Sequence, residues 1–450
     1  VLGGSFPCAD ADSIWLGEIA RDNTNLFGEP LSADTAEGPR GIIAAATGLA
    51  LAGRRATAFL SGPDVAAAQD LLISAAGKHV PLVLHVGTRA AAAHGAVLGS
   101  GHDTVHLSAD SGFFMLFASN VQEAIDFTYI SRQVAEDTLV PGLVVMDGEQ
   151  TALAAQDARL LSPAQAGALL GPPTQTIDTP TAAQRLLFGE TRRRVPAWHD
   201  LDEPVLTGAL FDPDSYALGA FGRQPFFDSF VDESLSAACD LFAAKTGRRH
   251  APVSSYHMDD ANIVLVALGA AIETTRAAAD RLRKQYKVRV GVIGIHSLRP
   301  FPGALLADAL KNREQVLILE RVDTPLAGEP PLTREIRAAT TTAGVSCSPV
   351  VYGVGGLPLR VADLVALCTS EHTAATRYLG LSFDDLSGNQ PKREVLLDTL
   401  RRAYPALADN GVRASEPESA GRDNRLTIAI QRTDDAGQEI VGAAGARLLA

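Results

Sequence analysis

An arginine placed directly after a buried apolar run is a chemical statement, because a guanidinium is costly away from water unless it meets a carboxylate or phosphate. Thr88-Arg89 is such a place, closing the apolar run Pro81 to Val86; the pair either binds an anionic ligand or enters an internal ion pair. Ser61-Gly62-Pro63 stands between an apolar run and a helix-like stretch, where backbone N–H groups can meet an anion, although any strand-to-helix turn uses the same small residues. His94, His102, Asp103 and His106 cluster in sequence. Their spacing falls in Gly-rich loop text and suits a hydrogen-bonded loop better than a set of metal ligands. Gly353-Val354-Gly355-Gly356 follows a strand but lacks the third-glycine spacing and the acidic residue of a dinucleotide site, so it reads as a tight turn.

These residues need elements to position them. From about Gly38 the chain alternates small-residue helices with short apolar strands: helix 41–51, strand 55–60, helix 63–76, strand 81–86, helix 121–136 and strand 142–146, ending at Asp147-Gly148. That rhythm predicts an α/β fold with a doubly wound parallel sheet, whose ligands bind at the carboxyl ends of the strands. Between about 152 and 250 the periodicity weakens and Pro, Gly and aromatics accumulate, as in an extended arm. A second parallel-sheet unit follows, with strands 262–268, 288–293, 315–320 and 348–352 and helices 273–285, 303–310 and 361–368. Residues 1–235 are therefore expected as a first domain with its arm from about 152, 250–385 as a second, 386–424 as a linker, and 425–450 as the start of an incomplete third.

Composition narrows the function. The 450 residues are 46% hydrophobic and 20% charged, with 39 Lys+Arg against 52 Asp+Glu and a net charge of −13. Such a chain folds, and it lacks the basic patch that a nucleic-acid binder needs. No apolar run approaches the length of a membrane span. The four cysteines, Cys8, Cys239, Cys347 and Cys368, make neither a disulfide framework nor a local zinc or iron–sulfur site, and a reducing cytoplasm is expected. Both ends read as cut.

Several short motifs in one order carry a resemblance. The run Gly87 to His94, then Gly101-His102-Asp103, Ser111 to Met115, Asn120 to Ala124, Gly208 to Tyr216, Leu298 to Phe301 and Leu319 to Pro325 are similar to the pyruvate:ferredoxin and other 2-oxoacid:ferredoxin oxidoreductases. The similarity spans roughly residues 30–370. It implies a thiamine-pyrimidine-type domain followed by a transketolase-C-terminal-like domain. It also implies oxidative decarboxylation of a 2-oxoacid, with electrons leaving through 4Fe-4S clusters and the acyl group passing to coenzyme A. In that family thiamine diphosphate and Mg are shared with a partner chain or domain, and this sequence has neither the diphosphate motif nor cluster cysteines. The resemblance thus implies a hetero-oligomer with a partner subunit that carries both, and ferredoxin or flavodoxin as acceptor. By the same resemblance Arg89, with Thr88, pairs with the substrate carboxylate. His94, His102 and Asp103 support that pocket, and the Asp147-Gly148 loop also matches.

The departures fall on functional positions. A threonine that touches substrate in the family is replaced by Phe6, which would narrow the pocket. The carboxylate that activates the aminopyrimidine ring is expected at Pro39, with Glu37 two residues away as the one substitute. A Gly-Gly-Gln-Gly turn is degraded to Ala436-Gly437-Gln438-Glu439. Two functions follow as expectations: a subunit or fragment of an active 2-oxoacid:ferredoxin oxidoreductase, or a catalytically silent paralogue with a structural or regulatory role. Ser61 and Gly62 are the expected cofactor-binding turn, and no resident metal site of the chain's own is expected.

Overall fold

The computed structural model describes Leu2–Gly3 and residues 24–25, 27–28, 30–31, 34–95, 97, 99–198, 210–341, 344–370, 376–381 and 391–414. Phe6, the Ala436 to Glu439 turn and the expected third domain lie outside the described residues.

The first half builds one sheet. Its strands are β1 (Leu2–Gly3), β2 (Asp34–Thr35), β3 (Thr57–Ser61), β4 (Val83–Thr88), β5 (Phe114–Ala118) and β6 (Gly142–Asp147). The helices among them are α1 (Gly38–Leu51), α2 (Gly62–Ala67), α3 (Gln69–Gly77), α4 (Asp103–Ser108) and α5 (Val121–Thr138). Strands β3 to β6 pair in parallel and are largely buried, which is why they read as unbroken apolar runs. Helix α5 shows how local sequence sets an element. The Asn120 side chain caps the Glu123 N–H while Glu123 returns to the Ser119 N–H. Behind that cap Ala124, Phe127, Ile130, Val134 and Ala135 form the buried stripe, a 3.6-residue repeat. The helix expected over 63–76 is two, broken at Ala68 (φ −119°), a position where the sequence has no breaker.

The stretch expected as an irregular arm is mostly ordered. It holds α6 (Pro163–Leu170), the antiparallel hairpin β7 (Thr176–Asp178) and β8 (Thr191–Arg193), α7 (Ala182–Phe188), α8 (Pro213–Phe226) and α9 (Val231–Thr246). The hairpin is pinned to the end of α5: the Arg192 guanidinium donates to the Glu136 and Asp137 carbonyls, and Gln184 to Asp137. Carbonyls in the last turn of a helix lack partners of their own, and a cation suits that end of the helix dipole. Arg55 forks onto Glu136 and donates to the Leu170 and Gly171 carbonyls. Helix α9 crosses the boundary expected at 235 and packs on α5.

The second half builds the other sheet, with β9 (Val253–Tyr256), β10 (Ile263–Leu268), β11 (Val290–Ile295), β12 (Ser297–Arg299), β13 (Gln315–Glu320), β14 (Cys347–Val351), β15 (Arg377–Leu379) and β16 (Gly411–Val412). Its helices are α10 (Ala271–Arg281), α11 (Gly303–Leu310), α12 (Pro331–Thr340), α13 (Val361–Thr369) and α14 (Pro391–Ala403). The strand order is β16-β15-β14-β13-β10-β11-β9, parallel except for β9. Two expectations change here. Residues 386–424 are not simply a linker, because α14 is a helix and β16 pairs with β15; polar composition hid an edge strand that needs little apolar content. Strand β12 leaves its own half and pairs antiparallel with β5, making the first sheet β12-β5-β6-β4-β3-β1-β2. Among the described residues no helix is long and apolar enough to cross a membrane.

Candidate active site

Four strand ends and one helix start converge on Asp147, the last residue of β6. It is fully buried. Its Oδ1 accepts from the Thr88 hydroxyl at the end of β4 (3.3 Å), lies 2.9 Å from His102 Nε2 ahead of α4, and accepts from Arg321 Nη1 just past β13 (3.0 Å). Its Oδ2 accepts the Ala270 N–H after β10 (2.7 Å). Because a carboxylate only accepts, the His102 Nε2 carries the hydrogen. Burial on its own would raise the Asp147 carboxyl, but His102, Arg321 and the Ala270 N–H outweigh it and hold the group at about 2.

The same arginine binds both sheets. Arg321 also donates to Gln150 Oε1 (2.8 Å) and Glu149 Oε2 (3.0 Å), and its backbone carbonyl accepts the His102 N–H. Two glycines make the close approach possible. Gly269 has φ +64°, and a Cβ there would lie 2.3 Å from Asp147 Oδ2. A Cβ on Gly99 would lie 2.5 Å from the Gly356 Cα. The Gly353 to Gly356 segment is thus a tight turn packed backbone to backbone on the first domain.

The residues singled out in sequence divide around this network. Thr88 and His102 belong to it. Arg89 follows at its rim, half-buried, with Nε 3.4 Å from the Val97 carbonyl. Asp103 folds the same loop, accepting the Ala91 N–H at 2.7 Å, while His94 is exposed. No group of three or more His, Cys, Asp or Glu suited to a metal occurs among the described residues. Beyond α4 a cleft of about 550 Å³ lies against His106, Asp110, Arg299, Asp323 and Arg334. Burial, helped by His102, Arg299 and Arg334, drives His106 down to about 3, so its ring is neutral at physiological pH.

The Ser61-Gly62 turn is engaged from within the chain. Asp64 accepts from both the Ser61 N–H and hydroxyl, so the turn already holds a carboxylate of its own. A Cβ on Gly62 would lie 2.3 Å from Thr104 Oγ1 and 2.7 Å from the Arg89 carbonyl. The glycine serves the close packing of α2 against α4.

Thiamine diphosphate asks for a carboxyl in an apolar site beside its aminopyrimidine ring. Glu37 is exposed at the start of α1 and makes no cap hydrogen bond, and Pro39 occupies the first turn. The buried carboxylates Asp147, Asp126, Glu136, Glu320, Asp64 and Asp363 are each engaged by protein donors. The described residues therefore do not fit the aminopyrimidine side of such a site.

Sequence reasoning passed over Arg321. The argument that singled out Arg89, an arginine at the end of a buried strand, applies equally to it.

Comparison with known proteins agrees with this architecture. Residues 30–200 match the model of the pyruvate flavodoxin/ferredoxin oxidoreductase thiamine-diphosphate-binding family, and residues 261–364 match the pyruvate:ferredoxin oxidoreductase core domain II. With both of these models matched in that order, the chain belongs to the pyruvate:ferredoxin oxidoreductase family. Within the family it is an alpha-type chain. A pyruvate synthase subunit PorA from Methanothermobacter thermautotrophicus is 27% identical over 77% of this chain and 84% of its own length. A probable pyruvate-flavodoxin oxidoreductase of Escherichia coli is 28% identical over 75% of this chain. The chain spans only 27% of that longer relative. A solved 2-oxoglutarate:ferredoxin oxidoreductase from Magnetococcus marinus, holding 2-oxoglutarate, coenzyme A and succinyl-CoA, shares the fold with a TM-score of 0.57. It is 17% identical, covering 81% of this chain and 60% of that one.

Proposed function

We propose that the chain is a subunit or fragment of a cytoplasmic 2-oxoacid:ferredoxin oxidoreductase and supplies the carboxylate-binding wall of its active site. The observation that carries this reading is Arg89: it stands at the carboxyl end of a central strand, beside a buried network that fixes Thr88. A guanidinium there forks onto a substrate carboxylate, neutralising it and setting its orientation. Thiamine diphosphate, Mg and the 4Fe-4S clusters belong, in this reading, to a partner subunit of a hetero-oligomer, with coenzyme A as co-substrate and ferredoxin or flavodoxin as acceptor.

The test is turnover of the chain assembled with its partner, followed as 2-oxoacid-dependent reduction of the acceptor. Replacing Arg89 by Ala removes a charge-assisted pair worth about 1.5–3 kcal/mol, so KM for the 2-oxoacid rises about 10- to 100-fold with a smaller change in kcat. An unchanged KM would remove Arg89 from substrate binding.

A second reading rests on the exposed Glu37 and on Pro39. If the chain is a silent structural or regulatory paralogue, calorimetry of the complete complex gives no heat with thiamine diphosphate, and Glu37→Gln leaves turnover of the assembly unchanged.

A further inference from the structure

A guanidinium carried on a loop binds a carboxylate well only where the backbone beneath it is already held, because ordering the loop at the moment of binding costs conformational entropy. The backbone on both sides of Arg89 is held, and the two holds meet at one residue of the second half, Arg321. On the N-terminal side, Thr88 closes β4 and its hydroxyl donates to Asp147 Oδ1 (3.3 Å), the same oxygen that accepts from Arg321 Nη1 (3.0 Å). On the C-terminal side, the Ala91 N–H donates to Asp103 Oδ2 (2.7 Å). The residue before Asp103 is His102, whose backbone N–H donates to the Arg321 carbonyl (3.0 Å) and whose Nε2 meets Asp147 Oδ1 (2.9 Å). Between the two holds, the Ala90 N–H donates to the Gly99 carbonyl (3.0 Å).

Arg321 is itself a fixed point. It is 5% exposed, its guanidinium donates further to Gln150 Oε1 and Glu149 Oε2, and it lies over the Tyr352 ring, 6.0 Å from the centroid. The turn behind it is closed as well: Gly353 has φ +69°, and a Cβ there would lie 2.9 Å from Arg321 Nε. A side chain gripped on this many sides has one position to offer. We infer that Arg321 is a positioning residue for substrate binding, setting from the second half of the chain where the Arg89 guanidinium stands. The role rests on the reading of Arg89 as the group that pairs with the 2-oxoacid carboxylate. Joining two sheets requires contacts anywhere on their facing ends, whereas both holds from Arg321 finish within two residues of Arg89. Loosening Arg321 therefore misplaces the arginine fork and weakens substrate binding, with little change in the chemical step.

The test is a double-mutant cycle in the complex assembled with the partner subunit. Arg321→Lys keeps the buried positive charge but cannot fork onto Asp147, Gln150 and Glu149 together. It should raise KM for the 2-oxoacid about 5- to 10-fold while kcat changes by less than about twofold. In a chain that already carries Arg89→Ala, Arg321→Lys should raise KM no further. If Arg321→Lys does not assemble, Glu149→Gln loosens the same guanidinium from the accessible end of the network and should raise KM about twofold, again only where Arg89 is present. Three results overturn the positioning role. If Arg89→Ala raises KM while the Arg321 and Glu149 substitutions leave it unchanged, the role falls and the substrate reading stands. If those substitutions raise KM by the same factor with and without Arg89, the clasp is purely structural. If Arg89→Ala itself leaves KM unchanged, the role falls together with the reading on which it rests.

Discussion

The clasp around Asp147 and the start of α1 around Glu37 lie in the same domain and treat a carboxylate in opposite ways. Asp147 is fully buried and receives a hydroxyl, a histidine, an arginine and a backbone N–H from four other segments. Glu37 is exposed and caps nothing. The difference teaches where specificity is stored in this chain. Groups that hold the two sheets in register are over-determined, whereas the carboxyl nearest the position expected for cofactor activation is not built into the structure at all.

Substitutions at the two places should therefore differ in kind. Asp147→Asn takes the buried counter-charge from Arg321 and leaves it only Glu149, and unfolding by urea should show a loss of about 3 kcal/mol. The same pair has a pH signature. A carboxyl held at about 2 in the folded state, against 3.8 when exposed, contributes stability that is present above about pH 4 and lost as pH falls toward 2. The amount is about 2 kcal/mol, and Asp147→Asn should flatten the acid limb of the stability curve. A midpoint curve that keeps its acid limb in the variant would remove Asp147 from that role.

The next effect sharpens the comparison with a buried carboxyl of the opposite habit. Burial pushes Glu320 up to about 7 although its Oε1 accepts from the Thr333 N–H and hydroxyl. Its neutral form is favoured in the folded state, so its contribution is complete below about pH 4.5 and declines as pH rises to 7. The decline amounts to about 3 kcal/mol. Glu320→Gln, neutral throughout, should remove that part of the pH dependence, read as a fall in urea stability between pH 5 and pH 8 smaller than that of the unsubstituted chain by about 3 kcal/mol. Smallest of all, Glu37→Gln should leave thermal and urea midpoints where they are; a measurable loss would mean that Glu37 is held more tightly than its exposure indicates.

Much of the scaffold was legible because buried parallel strands are written as apolar runs. Strands β3, β4, β6, β10 and β13 are of that kind, and their ends located the loops that matter. Strand β5, equally apolar, was read as part of a motif instead of as an element. Strand β12 was hidden because three residues at a sheet edge carry no period. Helix α8 had a visible cap in Asp212-Pro213 but no apolar stripe facing this chain's own core. Of the site, Thr88, Arg89 and His102 could be singled out from sequence, but the meeting of Asp147 with Arg321 could not. That contact joins residues 174 apart, and only the closure of two sheets brings them together.

Strand β12 also bears on how the molecule is made. The first sheet takes its outer strand from residues 297–299, long after β6 has been synthesised. During translation the edge of β5 stays without its neighbour until the second domain has emerged from the ribosome, a state in which unpaired edges invite wrong partners. Cutting the gene between the two domains would leave that edge open permanently. The boundary that divides the chain into two sheets is thus crossed by a strand, and a first domain made alone would carry an open edge at β5.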